Sequence, residues 1–140
     1  MNRRTFLAGT GTAVGTLLSG CSALSSQEKN LGLVVLNRDE TSHRVGIKLL
    51  RPNADDYNEA RVYSGQVNLP AGSSGEPTEV TRDGVAERHP YIVQIDLYDV
   101  ERRIAPYHFY PGCDGPDESL VIEVDSADDG RVYFQFLVDC

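Results

Sequence analysis

The residues of this 140-residue chain best suited to chemistry are its three cysteines. Cys21 follows an apolar N-terminal stretch, whereas Cys113 and Cys140 both lie in the C-terminal part. An even pair of cysteines in an oxidising compartment predicts a disulfide bond. We therefore expect Cys113 and Cys140 to be bridged. The alternative is two free thiols or two metal ligands.

The C-terminal strands support this pairing. Alternating runs at 120–124 and 132–138 predict a hairpin connected by residues 125–131. This register places Cys140 opposite the neighbourhood of Pro116, close to the other cysteine of the pair. The bridge is then expected to stabilise the fold by roughly 3–4 kcal/mol in the chain-entropy treatment and to hold the C-terminus in place.

The three histidines do not suggest a copper site. His43, His89 and His108 lie in separate segments, and the only methionine is Met1. A blue-copper site needs two histidines, one cysteine and usually an axial methionine. We expect each histidine on the surface or at a strand edge, and we expect no metal and no cofactor.

The acidic run near the C-terminus does not match a calcium loop. Asp125, Asp129 and Gly130 have the right composition, but the positions that would supply further ligands hold Ala127 and Phe136. Adjacent aspartates followed by glycine are typical of turns. This stretch is therefore predicted to be the hairpin turn.

Motifs for nucleophilic catalysis are absent from the sequence. The run 72–75, Gly-Ser-Ser-Gly, lacks the five-residue pattern of the nucleophile elbow. Carboxylate pairs for sugar hydrolysis remain an open alternative in so acidic a chain, but a small domain has little room for a deep cleft. We expect the protein not to be an enzyme.

An aromatic run at 107–110 is a further candidate for binding. Tyrosines and phenylalanines are common at binding surfaces. The alternative is that Tyr107 and Phe109 lie in the core and that Tyr110 covers an edge. We favour the core interpretation.

These residues must be positioned by strands, because hydrophobic residues alternate from residue 31 onward. Turn residues separate the alternating runs, and no convincing helix is present. The pattern predicts a single antiparallel β-sandwich of seven to eight short strands. The predicted strands cover 31–37, 43–49, 63–69, 77–82, 91–97, 104–110, 120–124 and 132–138. The strand at 77–82 is expected at an edge, where its proline is tolerated, and Asp83-Gly84 is expected to form a turn after it.

The charge balance excludes one class of partner. Asp and Glu number 21 against 13 Lys and Arg, a formal net charge of −8. Binding to nucleic acid needs a basic surface, so we expect none. The acidic, lysine-poor composition resembles that of salt-adapted, haloarchaeal-type proteins, and an ordinary acidic extracytoplasmic protein is the alternative.

The first twenty residues have the anatomy of a secretory signal peptide. A charged start precedes about twelve mildly apolar residues, which are too few to span a bilayer that needs roughly 20. The pair Arg3 and Arg4, followed by Phe6 and Leu7, resembles the twin-arginine translocation motif. That resemblance implies export of the domain in a folded state.

The end of this stretch resembles a lipobox. Leu18, Ser19 and Gly20 precede Cys21, and the resemblance implies cleavage before Cys21 and lipid on its sulfur. The organisation is then a signal peptide at 1–20, a lipidated cysteine with a polar tether at 21–30, and a β-domain at 31–140. The protein is expected to be extracytoplasmic and anchored by this lipid to the outer face of the cell membrane.

The β-domain itself resembles the immunoglobulin-like and fibronectin-like sandwiches found in exported lipoproteins. The likeness rests on the strand number and on the runs at 67–72 and 90–93. Such a likeness of fold does not by itself indicate a function. The signal, the all-β pattern and the absence of catalytic motifs together predict a non-enzymatic module that binds an envelope protein or glycan partner or has a structural role. A solute-binding or metal-handling accessory lipoprotein is the alternative.

Overall fold

The computed structural model describes residues 29–99, 102–104 and 106–140. The twin-arginine motif, the lipobox and most of the tether lie outside the described residues. The described elements are β1 (Asn30–Asn37), β2 (His43–Leu50), α1 (Tyr57–Ala60), β3 (Arg61–Leu69), β4 (Thr78–Glu87), β5 (Tyr91–Leu97), β6 (Arg102–Arg103), β7 (Tyr107–Phe109), β8 (Asp117–Ser126) and β9 (Val132–Asp139).

The strands form two sheets. One has the order β4-β1-β8-β9, and the other has the order β3-β2-β5, with the short strands β6 and β7 both on the far edge of β5. Each sheet is therefore four strands wide. The predicted all-β sandwich of seven to eight strands is confirmed.

The core lies between the inner faces of the two sheets. Inward residues of β1 such as Leu33 and Val35, and of β5 such as Val93, are at most 1% exposed. Their neighbours along each strand face outward, as the alternating pattern predicted for β5; in β1 the outward neighbours Val34 and Leu36 are also apolar. Full burial of one such side chain contributes about 1.5–3 kcal/mol, so this alternation specifies which face of each strand turns inward.

The strand β4 differs from the prediction. Residues 77–82 were expected to form a short edge strand that ends at an Asp83-Gly84 turn. The strand is at an edge, but it runs for ten residues through that dipeptide. Gly84 has a φ of 56°, and the register against β1 shifts there. Glycine reaches this conformation at low cost, so the dipeptide forms a bulge within a continuing strand.

One pair of neighbouring strands is parallel. β1 and β8 run side by side in the same direction, from Asn30 opposite Asp117 to Asn37 opposite Val124. The sequence predicted only antiparallel pairing. No hairpin joins these two strands, because β8 follows β7 of the other sheet through a loop. Their relative direction is therefore set by the crossing between sheets and not by a local turn.

The edge strand beside β5 is also shorter than predicted. Residues 104–110 were expected to be one strand, but only Tyr107–Phe109 pairs with β5, after a separate two-residue strand. Pro106 lies between the two pieces and has no N–H to donate to β5. The edge is consequently interrupted.

A single turn of helix precedes β3. Asp56 caps it, and its Oδ1 accepts a hydrogen bond from the backbone N–H of Asn58 at 2.6 Å. None of the helical residues that the structure describes forms a helix long and apolar enough to cross a membrane.

Because β1 and β8 are parallel, both strands begin at one end of the sandwich and finish at the other. The entry pole is the end at which β1 and β8 begin, and Lys29, Arg88 and Glu118 lie there. The distal pole is the end at which these strands finish, at Asn37 and Ser126. An eight-residue strand spans about 27 Å, which is roughly the separation of the poles.

Candidate functional site

Four polar side chains from distant parts of the chain meet at the distal pole. Asp39 and His43 flank the turn between β1 and β2, Asp99 follows β5, and Ser126 ends β8. They come together because all of these strand ends lie at the same end of the sandwich.

The imidazole of His43 lies between two carboxylates. Its Nε2 is 2.6 Å from Oδ2 of Asp39, and its Nδ1 is 3.5 Å from Oδ2 of Asp99. The residue is only 5% exposed. The contact with Asp99 is no more than a charge contact, and Nδ1 has no hydrogen-bond partner among the described residues.

Asp39 is held as a carboxylate by its neighbours. Burial on its own would raise its pKa, but the hydrogen bonds from His43 and from the Ser126 hydroxyl outweigh burial, and the pKa of Asp39 is lowered. The Ser126 hydroxyl donates to Oδ1 of Asp39 at 2.9 Å. Because it donates to the carboxylate and not to the imidazole, this serine is not activated as a nucleophile.

Asn37 fixes the turn that carries Asp39 and His43. Its amide nitrogen donates to the carbonyls of Thr41 and Pro70, both at 2.9 Å, and its Oδ1 accepts the backbone N–H of Asp39 at 3.0 Å. The side chain is fully buried and uses three of its hydrogen-bonding positions. The distal pole is therefore built as a rigid unit.

The backbone at Gly72 packs against the turn that carries Asp39 and His43. Its N–H donates to the carbonyl of Asp39 at 2.8 Å. A Cβ at this position would collide with the carbonyl of Asn37. Glycine is required here because two backbone segments approach each other without room for a side chain.

A shallow pocket opens beside His43. Its volume is about 290 Å³, and most of the residues that line it carry hydrogen-bonding groups. A small, open and polar surface of this kind suits hydrogen bonds to a polar ligand more than the enclosure of an apolar one. The lining residues are Ser42, His43, Arg44, Asn68, Leu69, Pro70 and Asp99.

A larger concavity of about 660 Å³ lies on the outer face of β2 and β5. The charge of its Lys48 is already matched, because Nζ lies 3.3 Å from Oδ2 of Asp96. The hydrogen bond to Asp96 also raises the pKa of Lys48. No buried polar group faces this surface among the residues that the structure describes, so the distal pole remains the better candidate.

The predicted disulfide is confirmed. Cys113 and Cys140 are bridged, with their Cα atoms 5.6 Å apart. The predicted register was wrong by two residues. Ser119 lies opposite Asp139, so the direction of β9 brings Cys140 opposite Glu118 instead of Pro116. The cause is a shorter connection, since pairing continues to Ser126 and Val132.

The turn itself is confirmed as a hairpin connection. The N–H of Ala127 donates to the carbonyl of Arg131 at 2.9 Å, and Gly130 has a φ of 79°. Asp129 accepts the N–H of Arg131 at 3.0 Å. The acidic residues thus serve the turn, as expected.

A buried ion pair supports the disulfide loop at the entry pole. Arg88 Nε lies 3.2 Å from Glu118 Oε2, and the two side chains are 4% and 0% exposed. Glu118 Oε1 accepts the N–H of Gly112 at 2.8 Å, and Arg88 Nη1 donates to the carbonyl of Gly115 at 2.6 Å. The pair therefore holds both sides of the loop that carries Cys113.

The histidines are only partly as predicted. His89 is exposed beside Glu87 at 3.3 Å, and His108 is exposed on β7. The prediction for His43 was wrong, because its ring is buried. The sequence signal that could have predicted this pair is the four-residue spacing of Asp39 and His43 across a turn. Within the described ranges, no group of three or more His, Cys, Asp or Glu residues is arranged to hold a metal ion.

The aromatic run lies mostly against the core. Phe109 is fully buried, and Tyr107 is half-buried and stacks on Phe136 of β9 with ring centroids 4.3 Å apart. The core interpretation is confirmed for Phe109, and Tyr107 is partly buried and packs against the core. Tyr110 is 68% exposed.

We expect Asp39→Asn to make the free energy of unfolding less dependent on pH in the acidic range. The folded-state pKa of Asp39 lies below its ordinary value of 3.8. Its carboxylate therefore stabilises the fold above about pH 4, and this contribution is lost as the pH falls through the lowered pKa. The variant should be about 1–3 kcal/mol less stable near neutral pH, with a shallower decline in acid. Urea unfolding across the acidic range measures both.

Asp55→Asn is the control, because Asp55 is exposed in a loop. It should leave the acid dependence as it is in the parent chain. An Asp39→Asn variant with the parent's acid dependence would contradict the role given to Asp39.

Comparison with known proteins identifies no family for this chain. No protein-family model matches it, and no curated protein is significantly similar to it. A solved structure with some likeness is the NMR structure of a protein from Eubacterium rectale. It has a TM-score of 0.38 and 13% sequence identity, over 79% of this chain and 90% of that one.

Proposed function

We propose that the chain is an exported lipoprotein, held by lipid on Cys21 at the outer face of the cell membrane. Its β-sandwich acts there as a non-enzymatic binding or structural module. The twin-arginine and lipobox resemblances support export and anchoring. The disulfide between Cys113 and Cys140 supports an oxidising location and leaves Cys21 as the odd cysteine, available for lipid.

The observation that carries this proposal is the position of the two poles. The chain enters the sandwich at Lys29, where its carbonyl accepts the N–H of Arg88 at 2.8 Å. The His43 pocket lies at the opposite pole. A tether from Cys21 to Asn30 reaches at most about 30 Å when fully extended. An upright domain on such a tether directs the distal pole away from the membrane.

The partner in this proposal is an envelope protein or glycan. The distal pole offers carboxylate, amide and hydroxyl groups around a shallow pocket, and these groups recognise hydroxyl-rich or peptide surfaces by hydrogen bonding. The net charge of −8 disfavours nucleic acid.

One observation favours the alternative of a solute-binding or metal-handling protein. Nδ1 of His43 is buried and has no hydrogen-bond partner among the described residues. A polar solute in the pocket could supply one. Metal analysis of the purified protein and a solute-binding screen by thermal shift distinguish the two roles. Stoichiometric metal, or a solute whose stabilisation is lost in His43→Gln, would favour the alternative.

We expect Cys21→Ser to release the protein from membranes or to leave it unprocessed. Serine has no thiol to accept the lipid, and no helix among the described residues is long and apolar enough to hold the β-domain in a membrane. Cell fractionation with immunoblotting measures the shift from the membrane fraction to the medium, and mass spectrometry of the parent detects lipid on the N-terminal cysteine.

Ser22→Ala is the matched control, because it changes the neighbouring residue and keeps the thiol. It should remain in the membrane fraction. A Cys21→Ser chain that is still processed and still membrane-bound would exclude the lipid anchor.

A further inference from the structure

The outer edge of β9 is an unprotected strand edge. β9 pairs with β8 on one side, and none of the described strands pairs with its other side. Residues 132–138 carry no charge. Three of their apolar side chains are well exposed: Tyr133 at 38%, Leu137 at 48% and Val138 at 42%. A long apolar edge of this kind is a template for pairing with another strand.

The other described edges are protected in ways that β9 is not. β4 has a bulge at Gly84 and carries charged residues such as Glu79 and Arg82. The edge beside β5 is broken at Pro106. β3 places polar side chains such as Gln66 and Asn68 outward. Bulges, charges and prolines are the usual protection against edge pairing.

The backbone direction along β9 shows which residues face the open edge. Ala127 donates to the carbonyl of Arg131, so Arg131 turns its backbone groups toward β8. In an antiparallel ladder this orientation alternates along the strand. Odd-numbered residues of β9 therefore bond to β8. The N–H and C=O groups that point outward belong to Val132, Phe134, Phe136 and Val138.

We propose that β9 pairs antiparallel with β9 of a second copy of this chain, about a twofold axis at Gln135. Phe134 then lies opposite Phe136 of the second copy, and Tyr133 lies opposite Leu137. Val132 lies opposite Val138, which covers the exposed valine. Each outward-facing pair exchanges two hydrogen bonds, for a total of about eight. The two four-stranded sheets become one continuous sheet.

The charges at the two ends of β9 select this register. With Gln135 on the axis, Asp139 lies opposite Arg131 of the second copy, at both ends of the ladder. Arg131 is 72% exposed, so it is free to turn from Asp129 to this partner. A shift of two residues in one direction places Asp139 opposite Asp129, and like charges repel. A shift in the other direction moves Asp139 away from Arg131 and places it opposite Tyr133.

This pairing is compatible with a lipid anchor but does not depend on it. The twofold axis reverses the strand direction, so the entry poles of the two copies lie at opposite ends of the joined sheet. A tether that extends to about 30 Å is comparable with the strand length of about 27 Å. Two anchored copies can therefore pair when both lie along the membrane surface, an arrangement that differs from the upright orientation of a single anchored domain.

Cysteine crosslinking tests both the partner and the register. The full chain carrying Cys21→Ser receives either Gln135→Cys or Tyr133→Cys, and both side chains lie on the exposed face of β9. Across the axis, the Cβ atoms of the two copies of residue 135 lie about 4.5–5.5 Å apart, within reach of a disulfide. The two copies of residue 133 lie about 13–14 Å apart.

We expect Gln135→Cys to be recovered mostly as a covalent dimer after mild oxidation, with the apparent mass doubled on non-reducing electrophoresis. Tyr133→Cys should remain monomeric under the same conditions. Equal crosslinking at the two positions, or none at residue 135, would overturn the proposed pairing. Peptide mapping checks that Cys113 and Cys140 stay bridged.

Charge at the axis provides a second measurement that needs no new cysteine. In the Cys21→Ser chain, Gln135→Lys places two like charges face to face, while Glu123 opposite it on β8 accommodates the lysine in the monomer. Sedimentation velocity should show the dimer mass halved in this variant and restored when it is mixed with Gln135→Glu. A parent chain that stays monomeric at all concentrations, or a Gln135→Lys chain that still dimerises, would refute the proposal.

Discussion

Replacing Glu118 with Gln is expected to lower the free energy of unfolding by about 3–5 kcal/mol. The substitution preserves the shape of the side chain but leaves the guanidinium of Arg88, which is 4% exposed, without a counter-charge. Breaking one side of a buried ion pair is costly because the remaining charge has lost both water and partner. Denaturant unfolding monitored by circular dichroism measures the change.

The Arg38–Glu123 pair provides a matched control. Its closest N–O distance is also 3.2 Å, but Arg38 is 31% exposed. Glu123→Gln should therefore cost much less than Glu118→Gln, because water solvates the guanidinium that remains. Equal losses in the two variants would contradict the importance of burial at Glu118.

Removing the disulfide with Cys113→Ser and Cys140→Ser is expected to cost roughly 3–4 kcal/mol. The bridge restricts the unfolded chain between two positions 27 residues apart. It also holds the C-terminal end of β9 against the loop that follows β7. Thermal unfolding of the double variant, and of the parent in the presence of reductant, should give the same loss. A much smaller loss would show that the loop holds its place without the bridge.

These two changes should not be additive. Gly112, next to Cys113, donates its N–H to the Glu118 carboxylate at 2.8 Å, so the ion pair and the disulfide constrain the same loop. Once the disulfide is absent, the loop can move and let water reach Arg88. The Glu118→Gln penalty should then be smaller than in the bridged chain. Additive losses would indicate that the loop stays in place without the bridge.

The local sequence pattern was sufficient to predict the strands and the hairpin turn. The alternation of apolar and polar residues predicted the inward faces of β2, β5 and β8, because the burial of apolar side chains contributes most of the free energy that orients a strand. Asp129 and Gly130 predicted the turn because their backbone preferences are local. The cysteine pair was predictable from the expectation that Cys21 is lipidated and that the location is oxidising, although the register of the hairpin was not.

The contacts of the distal pole could not be predicted in the same way. Ser126 and Asp39 are 87 residues apart in sequence, and they meet because β1 and β8 end at the same pole. No periodicity encodes which strands become neighbours across two sheets. His43 was therefore expected on the surface, although its ring is buried between two carboxylates.

For the three cysteines, the sequence by itself was enough to predict that Cys113 and Cys140 pair, because the count of cysteines and the expected compartment need no coordinates; the lipid on Cys21 stays a prediction. Tertiary structure decided what surrounds the bridge. It placed Arg88 and Glu118 against the bridged loop. The parallel pairing of β1 and β8 brought the starts of both strands to the entry pole and their ends to the distal pole. These features depend on long-range packing, in which residues distant in sequence share one small volume.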